Sequence, residues 1–280
     1  MYIEAVIVCV DYSDFLAYTL PQAKLHFDYI VVVTTPADKD TQQLCMHHNV
    51  ECLKTNAFYD GGDAFNKAKG INEGLMYISK RDWVVHMDAD IYLPAMTRTI
   101  LEKKDLDSRK IYGVDRLMCP DYDSWAKYLK SPKLIHDKWI FVHLNAFPIA
   151  SRVADYNGDG YAPIGYFQMW HPSASRTTLY PQEHGQADRT DMIFAKGWPR
   201  GLRELIPEVV AIHLDSDNAT MSQMGRNWKG RKTSPFSYAP PKADRKWARV
   251  VAWVTLGLAA GAAGTMLAVN WEYVRAVVGL

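Results

Sequence analysis

The sequence predicts an α/β domain, a mixed sheet flanked by helices, followed by one C-terminal hydrophobic helix. Three observations carry this expectation. Short apolar runs alternate with helix-periodic stretches, which is the pattern of strands separated by helices. The runs Ile30-Val31-Val32-Val33 and Trp83-Val84-Val85 are apolar at every position, as strands buried on both faces of a parallel sheet are. Val250 to Val269 is twenty residues without a charge, and about twenty apolar residues cross a bilayer.

Taken in order, Ile3 to Val10 is the first core strand, and Met1 leads into it with no basic segment or small-residue cleavage site, so no signal peptide is expected. Tyr29 to Thr34 and Trp83 to Met87 are the next strands. Between them, a helix from about Ala64 to Ser79 places Phe65, Ala68, Ile71, Leu75 and Ile78 on one apolar face, with Asp63 as its N-cap. Ligands of open parallel sheets bind beyond the carboxyl ends of the strands. Asp11, Thr34 with Thr35, and Asp88 with Asp90 follow these strands directly and are the first candidate site residues. Ser131 to Tyr180 is less regular and rich in aromatics, of which Trp170, ending a strand-like run, is the first candidate for stacking on a ligand ring. The stretch from Arg226 to Ala243 is rich in Pro, Ser and Lys and reads as a linker. The chain thus divides into a domain over 1–225, a basic linker over 226–246 and a membrane anchor over 247–280.

A formal net charge of +1 excludes a globally basic nucleic-acid binder, so any electrostatic partner must meet a local patch. Arg226, Lys229, Arg231, Lys232, Lys242, Arg245, Lys246 and Arg249 supply one, immediately before the hydrophobic run. Only Glu272 and Arg275 carry charge after it, and Trp247, Trp253, Trp271 and Tyr273 stand where interfacial aromatics sit. The positive-inside rule then places the N-terminal domain in the cytoplasm, on a single-pass C-terminal anchor. The four cysteines form no C-x-x-C pair and read as free, mostly buried thiols of a reducing compartment.

Five Asp-x-Asp pairs occur, at 38/40, 88/90, 105/107, 121/123 and 215/217. Hard carboxylate oxygens at this spacing suit Mn²⁺ or Mg²⁺ held against a diphosphate. Only Asp88/Asp90 and Asp215/Asp217 follow a strand-like run, and Asp88/Asp90 alone is followed at once by further apolar residues. The other three are expected on solvated turns or helix faces. His213 ends the second of these runs, where a sheet can aim it at the face that carries Asp90, and imidazole is a good third ligand for Mn²⁺. Asp188 and Asp191 stand at the start of a short helical pattern, as caps or as a carboxylate that takes a proton from an acceptor hydroxyl. Asp155 to Gly160 matches the first half of a calcium loop, but position twelve is Tyr166 and not Glu, so a turn is expected.

These pieces together resemble the GT-A glycosyltransferases, and among them the β-1,4-galactosyltransferase-like group. Phe65-Asn66-Lys67-Ala68-Lys69 with Asn72 and Gly74 is similar to that group's F-N-R-A-K helix along the nucleotide. His86 to Pro94 is similar to its metal-binding D-x-D strand end. Tyr166-Phe167, then Gly185 to Phe194, then Ile212-His213 follow the order of its acceptor loop, its acidic loop and helix, and a late metal-binding His. The pattern departs at Gln168-Met169, where the group has two glycines, and at the thinned acidic stretch Asp188-Arg189-Thr190-Asp191. The resemblance implies a Rossmann-like GT-A domain for nucleoside diphosphate sugars, UDP-linked. It further implies that Asp11 and Asp63 contact the nucleotide, together with Asn66 and Lys67 of the helix. Asp88, Asp90 and His213 would hold Mn²⁺, and Asp191 would be the general base with Asp188 as alternate. The partners expected are a nucleotide-sugar donor, a hydroxyl acceptor and the membrane, with nucleic acid a weaker expectation. Two other readings stay open: a nucleotidyltransferase, although no G-x-G follows the first strand, and a membrane-tethered sugar-binding protein without turnover.

Overall fold

The computed structural model describes residues 1–63, 65–119, 122–130, 161–174, 179–182 and 190–214. The chain divides into two units, 1–237 and 238–280. The basic linker, the hydrophobic run, Asp215, Asp188 and the calcium-loop-like turn all lie outside the described residues. Among the described residues no helix is long and apolar enough to cross a membrane.

The first unit runs β1 (Ile3–Val8), α1 (Ser13–Ala23), β2 (Tyr29–Thr34), α2 (Lys39–His48), β3 (Glu51–Lys54), α3 (Lys67–Tyr77), β4 (Trp83–Asp88), β5 (Ile91–Tyr92) and α4 (Thr97–Lys103). β6 (Ile111–Cys119), α5 (Tyr122–Lys130), β7 (Phe167–Trp170), α6 (Thr190–Lys196) and β8 (Arg203–Leu214) follow. The strands form one mixed sheet in the order β3-β2-β1-β4-β7-β6-β8-β5. β3, β2, β1 and β4 are mutually parallel, whereas β7 is antiparallel to both β4 and β6.

The continuous apolar runs are explained by helices on both faces. Ile3, Ala5 and Ile7 of β1 pack with Leu16 and Leu20 of α1, Cys45 of α2 and Leu101 of α4. Val6 and Val8, pointing the other way, pack with Ala68, Ile71 and Leu75 of α3 and Phe194 of α6. Successive side chains alternate faces, so a strand covered twice must be apolar throughout. Cys9, Cys45 and Cys119 are buried and Cys52 half-buried, all as free thiols.

Two caps correct the sequence expectation. α3 starts at Lys67 rather than 64, and its N-cap is Asn66, whose side chain accepts from Lys69 N. Asp63 is drawn instead into an ion pair with Lys69 (2.7 Å). Asp38, expected on a solvated turn, is 5% exposed and caps α2 through Thr41 N (3.0 Å). Its other oxygen accepts from the Thr34 hydroxyl (3.0 Å) and from Asp11 N (2.8 Å). These three donors explain how a carboxylate is tolerated there.

The second half of the sheet curls. β4 and β5 are separated only by Ala89 and Asp90, yet they stand fourth and last in the strand order. The chain reaches β5 by pairing it with the end of β8, Ile91 opposite His213 and Tyr92 opposite Ile212. Leu214 N donates to Asp90 O (2.9 Å) and Asp88 N to Tyr166 O (3.2 Å), which closes the curl. A register shift between Val114 and Asp115 accommodates Pro207, which has no N–H for a ladder, opposite β6. The curl therefore gathers the carboxyl end of β4, the end of β8 and the segment entering β7.

Candidate active site at the curled end of the sheet

Asp88 ends β4 and its carboxylate is paired with the Lys67 ammonium from the first turn of α3. Asp90, in the turn after β4, faces His213 Nε2 of β8 at 3.1 Å. The side chains of Lys67, Asp88, Asp90 and His213 are 17–25% exposed, so they are shielded enough for strong electrostatics yet reachable by a ligand. Burial disfavours the charged form of Lys67, but Asp88, Asp191 and Asp90 outweigh it and raise its pKa. Asp88 is raised by burial, opposed by Lys67 and reinforced by the like charge of Asp90. Asp90 is lowered, because His213 and Lys67 together exceed the burial penalty. Asp88 and Asp90 thus face one ammonium.

Asp191 joins it from the first turn of α6. Its carboxylate accepts from the backbone N–H of Gly165 and from Met192 N (2.7 Å). Gly165 has to be glycine: a Cβ there would lie 2.8 Å from both Cβ and Oδ2 of Asp191. Gln168, where the resembling group has glycine, donates to Asp191 O (2.9 Å) and Pro163 O (2.8 Å) and accepts from the Tyr180 hydroxyl. Thus Gln168 fixes the backbone that presents Asp191.

The structure reassigns other candidates. Asn66 is fully buried, and its amide is spent on Asp63 (3.0 Å) and Gln182 O (2.9 Å), so it ties down the 179–182 segment and is closed to a nucleotide. Asn72 does the same with Tyr180 O and N (2.9 and 2.7 Å). Thr34 is likewise fully buried with its hydroxyl committed to Asp38. Trp170 is a core residue, packed on Tyr180, Phe194 and Trp198, because β7 is an interior strand. Asp11 remains exposed, in a left-handed conformation (φ 57°) held by Asp38. Burial, then Asp38 and Asp40, raise its pKa. Asp63, 23% exposed, remains reachable in the loop that enters α3.

Sequence reasoning missed Arg116 and His86. Arg116, on β6, places Nη1 3.1 Å from His213 Nδ1 and its guanidinium 4.4 Å above the Tyr166 ring. The signal was present: Ile111-Tyr112-Gly113-Val114 followed by Asp115-Arg116 has the apolar-then-polar form used to choose the other strand ends. His86 is fully buried beneath Asp88, Nε2 3.8 Å from Oδ1, and burial followed by Lys67 keeps it neutral.

The fit of a divalent cation turns on one atom. Asp90 Oδ1 is buried and has no hydrogen-bond partner among the described residues. An unsatisfied buried carboxylate oxygen is costly, and a cation satisfies it. Among the described residues no cluster of three or more His, Cys, Asp or Glu is gathered for a metal. A two-carboxylate site completed by substrate phosphates, as Mg²⁺ commonly has, matches this donor set.

No family model matches the chain, and no curated protein does. Similar solved structures include residues 1–349 of TarS from S. aureus, at 11% identity and TM-score 0.48, covering 76% of this chain and 60% of that one. Mannosyl-3-phosphoglycerate synthase from Rubrobacter xylanophilus is similar at 18% identity and TM-score 0.44, covering 79% and 68%. Glucosyl-3-phosphoglycerate synthase from Mycobacterium tuberculosis, solved with Mn²⁺, UDP and glucosyl-3-phosphoglycerate, is similar at 10% identity and TM-score 0.41, covering 76% and 71%. The chain spans less than two thirds of the length of the first of these, 60%.

Proposed function

We propose that this chain is a GT-A glycosyltransferase that moves a sugar from a nucleoside diphosphate sugar, UDP-linked, to a hydroxyl acceptor, with Mn²⁺ or Mg²⁺ held by Asp88 and Asp90. The observation that carries the reading is the buried Oδ1 of Asp90, without a hydrogen-bond partner among the described residues, beside Asp88 and Lys67 at the carboxyl end of a parallel strand. The β-1,4-galactosyltransferase-like order of motifs supports it, since stretches distant in sequence supply Lys67, Asp88, Asp90, Asp191 and His213 to one site.

When bound, the cation neutralises charge developing on the leaving diphosphate. Lys67 adds a fixed positive charge on the same side, oriented in advance by Asp88. Asp11 and Asp63 serve the nucleoside end. Asp191 takes the proton of the acceptor hydroxyl, and its two backbone N–H bonds hold the carboxylate in one orientation while leaving lone pairs for that proton. The basic stretch 226–249 and the uncharged run after it support a membrane-held chain with its domain in the cytoplasm and a lipid- or envelope-linked acceptor.

The test is nucleotide release from a panel of nucleotide sugars by the full chain in detergent, with Mn²⁺ or EDTA, beside Asp90→Ala. Release of one nucleotide that needs metal and disappears in the variant is expected. Release indifferent to EDTA and to the substitution would refute the mechanism, and metal-dependent binding without turnover would make the chain a sugar-nucleotide binder.

A further inference from the structure

The backbone that joins Asp88 to Asp90 is held off the strand ladder at three places. Asp88 N donates to Tyr166 O (3.2 Å) and Leu214 N donates to Asp90 O (2.9 Å), so the segment entering β7 and the end of β8 each fix one end of the turn. The third hold is on Ala89, whose carbonyl oxygen accepts from the Thr19 hydroxyl of α1 at 2.6 Å. The first two run from backbone to backbone and need no particular side chain. The third is made by a side chain 70 residues away in the sequence.

A threonine inside a helix can return its hydroxyl proton to the carbonyl four residues back, which for Thr19 is that of Phe15. Here that single proton is spent on Ala89 O instead. Both groups are closed to water, Thr19 at 1% and Ala89 at 5% exposure, and among the described residues Ala89 O receives no other hydrogen bond. A buried carbonyl stripped of its donor is costly and turns to find another. That oxygen belongs to the peptide linking Ala89 to Asp90, so turning it redirects Asp90 relative to Asp88. Ala89 also packs in one core with Leu16 and Leu20, which brings α1 to the turn without fixing the rotation of that peptide. We propose that Thr19 is a positioning residue of the cation site, its hydroxyl setting the rotation of the Ala89–Asp90 peptide and with it the placement of the two carboxylates that hold the ion. The inference rests on the metal-dependent reading above and adds a residue that touches neither ion nor substrate.

The experiment titrates Mn²⁺ into the full chain with UDP present, reads the free ion by its electron spin resonance, and records an unfolding midpoint for each variant. Thr19→Val, of the same shape without the donor, should weaken Mn²⁺ about tenfold, the usual effect of removing a group that orients a ligand, while Thr19→Ser, which keeps the hydroxyl, should stay within about threefold. Leu101→Ala, a fully buried residue on α4, which gives the site no side chain, should lower the midpoint and leave Mn²⁺ affinity unchanged. If Thr19→Val does not fold, Thr19→Ala removes the same donor without adding an apolar group and carries the same expectation. Unaltered Mn²⁺ affinity in a folded variant lacking the hydroxyl would overturn the proposal and leave the metal-dependent reading standing. So would a loss in Leu101→Ala equal to that in Thr19→Val, or a Thr19→Ser variant as weak as Thr19→Val. Failure of the unaltered chain to bind Mn²⁺ with UDP would overturn both.

Discussion

Replacing Asp38 by Ala should destabilise the first unit by about 3 kcal/mol, and the figure can be assembled from its three bonds. Loss of the α2 cap to Thr41 N costs about 1 kcal/mol. The Thr34 hydroxyl, fully buried, is left without its acceptor, which adds about 1–3 kcal/mol. Asp11 N also loses a charged acceptor, but Asp11 is exposed and water replaces most of that bond. Urea unfolding followed by far-UV signal measures the loss. Adding Thr34→Val should recover about 1 kcal/mol, since the orphaned hydroxyl is then gone. The same substitution frees the left-handed backbone at Asp11, so UDP affinity should fall as well. A loss below about 1 kcal/mol with no recovery in the double variant would refute the account of Asp38 as a buried three-donor acceptor.

Gly165→Ala should lower transfer by about a hundredfold with little change in unfolding midpoint, because the new methyl displaces the Asp191 carboxylate; steady-state kinetics beside a thermal melt separates the two effects. Gly74→Ala should instead cost stability, about 1–3 kcal/mol, since its Cβ meets Val6 and comes within 2.9 Å of Val33 where α3 lies on the sheet; a urea curve equal to that of the unaltered chain would contradict that packing. His26, 1% exposed, has its pKa lowered by burial from 6.5 to about 4. The unfolded chain therefore binds the extra proton first, so this contribution is complete above pH 6.5 and is lost as pH falls toward 4, by up to about 3 kcal/mol. A pH series of urea midpoints should show that slope, flattened in His26→Gln.

Much of the parallel half was legible in the sequence because its signals are local. A strand buried on both faces has to be apolar at each position, so β1, β2 and β4 could be read directly, and the residues after them fall at the carboxyl edge by necessity. The choice of Asp88/Asp90 among five similar pairs used the same local context. Where polar residues compete for roles, local pattern fails. Asp38 and Asp63 look alike as acids before a helix, yet one is buried as a cap and the other is taken by Lys69, because only the packing of α2 against β1 and β2 closes water off from Asp38.

The chain's own order of residues determined the α/β class, the strand ends and the candidate carboxylates. The tertiary structure alone decided that the sheet curls, since that depends on β8 reaching past β6 to pair with β5 more than a hundred residues earlier. Only that long-range pairing sets Arg116 against His213 and His213 against Asp90, and contacts between two strands and a turn have no trace in the spacing of any one of them.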